Sequence, residues 1–143
     1  MIFFQDDYFP GSKKRFIEIL EGLKKMGNIL WSTLGIRADT LTKLPDEKWD
    51  LLYESGCHSL DIGIESGNER VIKMVNKAET LDEMRESNRK LAKYDIKVKY
   101  TMIVGFPGET EERFENTRKL IEQLPFSYLH VFSYSPRRGT EAY

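Results

Sequence analysis

Five short apolar runs alternate with stretches of helical spacing, and this order narrows the fold more than any other feature. "MIFF" (Met1 to Phe4), "NILWSTLGI", "HSLDIGIES", "IKVKYTMIVG" and "YLHVFSYS" read as strands. Between the first two, Phe16, Ile19, Leu20 and Leu23 recur at helical spacing in "SKKRFIEILEGLKKMG", which closes on Gly27. "LPDEKWDLLYESG" opens on Pro45 and acids and ends at Gly56, the pattern of a short helix. "NERVIKMVNK" and "TLDEMRESNRKLAKYD" follow the third run, and Thr80 with Glu83 three residues on predicts a capping box. "ETEERFENTRKLIEQL" is the helix before the fifth run. The alternation predicts an α/β fold of parallel strands joined by crossover helices, either doubly wound or curled into a barrel. In both, function belongs at the carboxyl ends of the strands.

Those ends are unusual. In order they read "QDDYFPG", "RADT", "ESGNER", "FPGE" and "PRRGT", each rich in glycine, carboxylate or arginine. Asp6 and Asp7 are adjacent carboxylates that suit a metal, an ammonium group or a helix N-terminus, or are simply solvated acids. Glu65 ends an apolar strand expected to be covered on both sides, where a carboxylate is costly unless it receives donors. Arg37 and Lys77 are cations near the same ends, and either could equally be a surface charge. Gly105 and Gly108 in "GFPGE" permit a tight turn and close approach of a ligand. By itself that turn fits a phosphate-binding loop or an ordinary strand-to-helix connection. No Ser-His-Asp order, Walker loop or "GxGxxG" is present.

With 143 residues, one domain over 1–143 is expected, with a real core. The 22 Lys+Arg against 23 Asp+Glu show no basic excess for nucleic acid. No apolar run is long enough for a membrane span and no secretory leader is seen. Cys57, the single cysteine, excludes an intrachain disulfide, predicts a buried small hydrophobe and suggests a cytoplasmic protein. His58 and His130 have no companion at ligand spacing and are expected to be structural.

"ESGCHSLDIGIESGNERVIKMVNK", then "YTMIVGFPGETEE" and "HVFSYSPRRGT", in this order and with "DDYF" near the start, resemble the radical S-adenosylmethionine superfamily. The likeness is greatest to the branch holding methylthiotransferases and cobalamin-dependent enzymes. It implies a partial (β/α) barrel entered at the family's second strand, lacking the first strand–helix unit. It implies S-adenosylmethionine as ligand: Asp6 and Asp7 near its ammonium group, Glu65 with Ser66 at the ribose hydroxyls, Lys77 at the methionyl carboxylate and Arg37 on the same face. Lys77 stands where the family usually has arginine, so bidentate pairing is lost. Gly105, Phe106 and Gly108 would lie against adenine, with Tyr134 and Pro136 at its edge. The parent reaction implied is one-electron cleavage of S-adenosylmethionine to a 5′-deoxyadenosyl radical, acting on an unknown substrate. It requires a [4Fe-4S] cluster held by CxxxCxxC, and these cysteines are absent here. Two alternatives are a non-catalytic adenosine-binding or interaction module and an unrelated α/β enzyme with a phosphate-binding turn. Without the first unit, Ile2 to Phe4 should present an open edge and Phe16, Ile19 and Leu20 an uncovered patch, which predicts a homo-oligomer.

Overall fold

All five apolar runs become strands of one sheet in the computed structural model, which describes residues 1–6, 9–75, 77–136 and 138–139. They are β1 (Ile2–Phe4), β2 (Trp31–Ile36), β3 (Cys57–Glu65), β4 (Lys97–Val104) and β5 (Tyr128–Ser133). Their spatial order is the chain order, and every neighbouring pair is parallel. The carboxyl ends therefore share one rim: Phe4, Ile36, Glu65, Val104 and Ser133.

The helices follow the apolar stripes. In α1 (Lys13–Met26), Ser12 caps the start by accepting from the Arg15 N–H at 3.2 Å, and Phe16, Leu20 and Leu23 are buried. α4 (Glu69–Met74) begins at the Asn68 cap, and α5 (Leu81–Leu91) carries the expected capping box of Thr80 and Glu83. α6 (Glu111–Gln123) starts at Thr110 and buries Thr117 and Leu120. Between β2 and β3 the expected helix is a 3₁₀ turn (Asp46–Lys48) running into α3 (Trp49–Glu54), and an unexpected short helix, α2 (Ala38–Thr42), precedes it. α2 has too few residues for an apolar period, and side-chain pairs of Asp39 with Arg37 and Lys43 bracket it.

Leu60, Ile62 and Ile64 of β3 and Val98 and Tyr100 of β4 point into the core with Leu52, Met84, Leu91 and Leu120. Phe9 stacks on Phe4 at 4.5 Å and meets the Phe16 ring edge-on at 5.8 Å. Phe16 and Leu20 are thus fully buried, which corrects the expectation of an uncovered α1 patch. On the two outer strands, Phe3 of β1 and Tyr128, Val131 and Phe132 of β5 are left exposed. Cys57 is buried, as expected. Alternation of two gives β3 a second face, where Ser59, Asp61, Gly63 and Glu65 are only part-buried. The third strand is therefore covered on one side, not two. Among the described residues, no helix is long and apolar enough to cross a membrane.

Candidate ligand site at the strand ends

The open face of β3 and the ends of β2 and β4 wall a cavity of about 240 Å³. Phe9 and Leu34 supply its apolar side, and Arg37, Asp61, Glu65 and Lys77 its charges. Gly63 lies between the charges and has no room for more: a Cβ there would sit 2.5 Å from Glu65 Oε1 and 2.8 Å from Lys77 Nζ. Glu65 takes a left-handed backbone, φ 62°, at the point where the β3–β4 register slips. For a residue other than glycine that conformation is uncommon, and here it turns the carboxylate toward Lys77.

Lys77 Nζ donates to Glu65 Oε1 at 3.2 Å and to the Gly63 carbonyl. Its third neighbour is Glu79 Oε2 at 3.1 Å, an ion pair without hydrogen-bond geometry. Glu79 also faces Arg37 Nε at 3.4 Å and the Asp39 N–H at 3.4 Å, and its side chain is wholly buried. Arg37 Nε is 3.0 Å from Asp39 Oδ1, and Lys43 Nζ is 2.7 Å from Asp39 Oδ2. Burial pushes the Asp39 carboxyl up, but the Lys43 hydrogen bond and the Arg37 charge outweigh it and hold the group below its ordinary range. Deeper on the same face, Lys99 Nζ pairs with Asp61 Oδ2 at 2.8 Å, while Asp61 Oδ1 is buried with no hydrogen-bond partner.

The "GFPGE" stretch is a turn held by its own acid. The Gly105 N–H donates to Glu109 Oε2 at 2.6 Å, and the Glu109 N–H to the Phe106 carbonyl at 2.8 Å. Gly105 and Gly108 have φ of 77° and 81°, which only glycine adopts without strain. Phe106 is buried and meets the Tyr134 ring edge-on at 5.0 Å, and the Tyr134 N–H donates to the Val104 carbonyl at 2.8 Å.

The structure thus brings Arg37, Glu65 and Lys77 together, and separately Gly105, Phe106 and Tyr134. Ser66 is buried against the helix layer: its hydroxyl is 3.1 Å from Thr117 Oγ1 and accepts from the Asn68 N–H at 3.1 Å. Asp6 is exposed, 3.8 Å from Arg15, and does not wall the cavity. Asp7 lies outside the described residues, and Pro136 is exposed beyond β5. Sequence reasoning missed Asp39, Asp61 and Glu79. Glu79 did leave a signal, because the residue before a helix cap is often an apolar staple and here it is an acid. A larger cavity of about 730 Å³ lies between α4, α5 and α6. It opens on the helical side, with Gly67 and Asn68 just past the end of β3 in its wall, and size alone does not make it the site.

Comparison with known proteins bears on this arrangement. The model of the radical SAM superfamily matches residues 5–121. A tRNA-2-methylthio-N(6)-dimethylallyladenosine synthase from Ehrlichia canis (strain Jake) is 39% identical over 109 residues, covering 69% of this chain and 24% of the relative. The enzyme of the same name from Akkermansia muciniphila is 32% identical, covering 92% of this chain and 29% of the relative. The chain spans about a quarter of the length of these relatives. Among solved structures, a radical S-adenosylmethionine methyltransferase from Kitasatospora setae, with cobalamin and a [4Fe-4S] cluster bound, superposes with a TM-score of 0.76. It is 15% identical and is matched over 92% of this chain and 25% of its own. Coproporphyrinogen III oxidase from Escherichia coli gives 0.69 at 18% identity, over 92% of this chain and 32% of its own. At such identities the likeness is one of fold, and the fold agrees with the parallel strands and decorated strand ends described above. With the superfamily match running from the loop after β1 through most of α6, the chain belongs to the radical S-adenosylmethionine superfamily.

Proposed function

We propose that this chain binds S-adenosylmethionine at the carboxyl ends of its strands, as part of a radical S-adenosylmethionine enzyme. One observation carries the reading: two cations and two carboxylates converge on one small cavity over a bare glycine, and the neighbouring strand β4 ends in an aromatic-backed turn. A zwitterionic amino-acid end needs both signs of charge, which Arg37, Lys77 and Asp61 supply, while Glu65 is a carboxylate for the ribose hydroxyls. An adenosine end needs a flat approach and backbone polar groups, which the Gly105–Phe106 turn beside Tyr134 offers. Asp6, Asp7 and Pro136 remain assigned to the ligand's rim by the family pattern alone. Ser66 acts through β3, tying the strand end that bears Glu65 to α6.

The chemistry proposed for the whole enzyme is one-electron cleavage of S-adenosylmethionine, with a [4Fe-4S] cluster as electron source. That cluster does not fit these residues. Cys57 is the one cysteine, and its burial holds the thiol far above its ordinary range, in the protonated form that does not ligate iron. Among the described residues, no group of three His, Cys, Asp or Glu could hold a metal. No step through the cluster is assigned to this chain. Its ligands in the whole enzyme would come from outside these 143 residues. From the names of the curated relatives we extend to the whole enzyme, as substrate class, an adenosine in tRNA. The buried single cysteine equally favours a second reading, a non-catalytic adenosine-binding module.

Titration of the ¹⁵N-labelled chain with S-adenosylhomocysteine tests the site. Amides of Gly63 to Ser66 and Val104 to Gly108 should move, with millimolar affinity, roughly 4 kcal/mol. Shifts confined to other regions would overturn the assignment. Anaerobic reconstitution with iron and sulfide should leave no stoichiometric iron on the chain, and a reproducible cubane with its charge-transfer absorption would show the ligand count to be wrong.

A further inference from the structure

Charge counting around the cavity raises a difficulty for any anionic ligand. Arg37, Lys43 and Lys77 are matched by Asp39, Glu65 and Glu79, all within one network of ion pairs. Counted over these six described side chains, the charges balance before anything binds. Lys77 Nζ has three N–H groups, and the Gly63 carbonyl, Glu65 and Glu79 already surround it. Its side chain is only 14% exposed, so a ligand carboxylate cannot simply be added. A second uncompensated anion in such a place is disfavoured, and one resident carboxylate has to give way.

The two candidates differ in how firmly they are held. Glu79 is completely buried and is shared by Lys77, Arg37 and the Asp39 N–H. Releasing it would strand a charge inside the protein. Glu65 is 23% exposed, stands at the lip of the cavity, and has Lys77 as its one cationic partner among the described residues. It also sits in a left-handed backbone conformation that is uncommon for a residue other than glycine. Glu65 is therefore the anion that leaves.

We propose that Glu65 is an internal stand-in for the ligand's carboxylate. An incoming carboxylate takes its place on Lys77, and the released Glu65 becomes a charged acceptor for donor groups elsewhere on the same ligand, hydroxyls above all. Glu79 stays as the positioning residue that keeps Lys77 and Arg37 aimed at the cavity. The two ends of the site are thereby coupled. A ligand with only a carboxylate leaves Glu65 without a partner, and a ligand with only hydroxyls must draw Glu65 off Lys77 unaided. Ligands carrying both are selected. This rests on the S-adenosylmethionine reading of the site, and deepens it by making Glu65 the specificity-determining residue.

The test uses the whole chain and two half-ligands, methionine for the carboxylate end and 5′-methylthioadenosine for the hydroxyl end. Affinities come from the same ¹⁵N titration in the wild type, in Glu65→Gln and in Glu65→Asn. Asparagine tolerates the left-handed backbone, so the second variant guards against loss of folding. Both variants should bind methionine more tightly, by about tenfold, and 5′-methylthioadenosine more weakly by a similar factor. In the wild type, saturating methionine should tighten 5′-methylthioadenosine, and this coupling should vanish in the variants. Weakening of both half-ligands, or no change in methionine affinity, overturns the exchange while leaving the site reading intact. Binding of neither half-ligand, nor of S-adenosylhomocysteine, to any of the three proteins overturns both.

Discussion

Gly63 matters for the atom it lacks. The Lys77–Glu65 pair occupies the space a Cβ would need, so Gly63→Ala has to push the pair apart or distort the strand. Both atoms, Glu65 Oε1 and Lys77 Nζ, are the far ends of flexible side chains that can shift, so the thermal midpoint should fall only slightly. Affinity for S-adenosylhomocysteine should fall about tenfold or more, because the charges that meet the ligand are displaced; an alanine variant that binds as the wild type does would remove Gly63 from the site. Tyr100 makes a second residue-level case. Burial pushes its phenol up to about 12, while the hydrogen bond from Asn88 pulls the other way. The folded state thus holds a proton that the unfolded chain releases near the ordinary value of 10.0. Stability should fall as pH rises from about 10 to about 12, by roughly 2 kcal/mol. Denaturant melts across that window should show a shallower decline in Tyr100→Phe.

The join between β3 and α6 depends on similarly close contacts. Gly67 N–H donates to Thr117 Oγ1 at 2.8 Å, and a Cβ on Gly67 would lie 2.5 Å from Thr117 Cα. Backbone cannot yield as a flexible side chain can, so Gly67→Ala should destabilise by about 2 kcal/mol or more and lower the urea midpoint. Thr117→Val keeps the shape but leaves the Gly67 N–H and the Ser66 hydroxyl short of a partner, for about 1–3 kcal/mol. What could be read from sequence follows this division. Elements with an apolar stripe were legible, β3 and α1 among them, because burial depends on periodicity. α2 was not, since five residues hold no period and its supports are charged side chains. Around the cavity, Glu65 and Arg37 were visible as polar residues at strand ends, and Lys77, beyond α4, through the family resemblance. Glu79 was hidden because its partners Arg37 and the Asp39 N–H lie about 40 residues away, a relation that no local pattern shows.

For the molecule as a whole, both outer strands keep one side of their backbone unpaired among the described residues: β1 bonds only to β2, and β5 only to β4. Open edges of this kind recruit other strands, and exposed Phe3, Tyr128, Val131 and Phe132 make recruitment favourable. A dimer or larger species is expected at low micromolar concentration. Sedimentation as a clean 16.8 kDa monomer, with Ile2 and Phe4 amides protected from exchange, would exclude it.

That spatial order equals chain order has a consequence in time. Among the described residues, each strand pairs only with the one made just before it and the one made just after. A nascent chain can therefore lay down the sheet in the direction of synthesis, with no strand waiting for a distant partner and no segment to be threaded between two others. Closing loops between successive strands are of helix length, so the entropy of each closure stays modest as the chain grows. An arrested-synthesis series ending after successive helices should gain protection one strand at a time, beginning with β1 and β2. In such a sheet the ribosome is the assembly jig: the order in which residues emerge is already the order in which they belong.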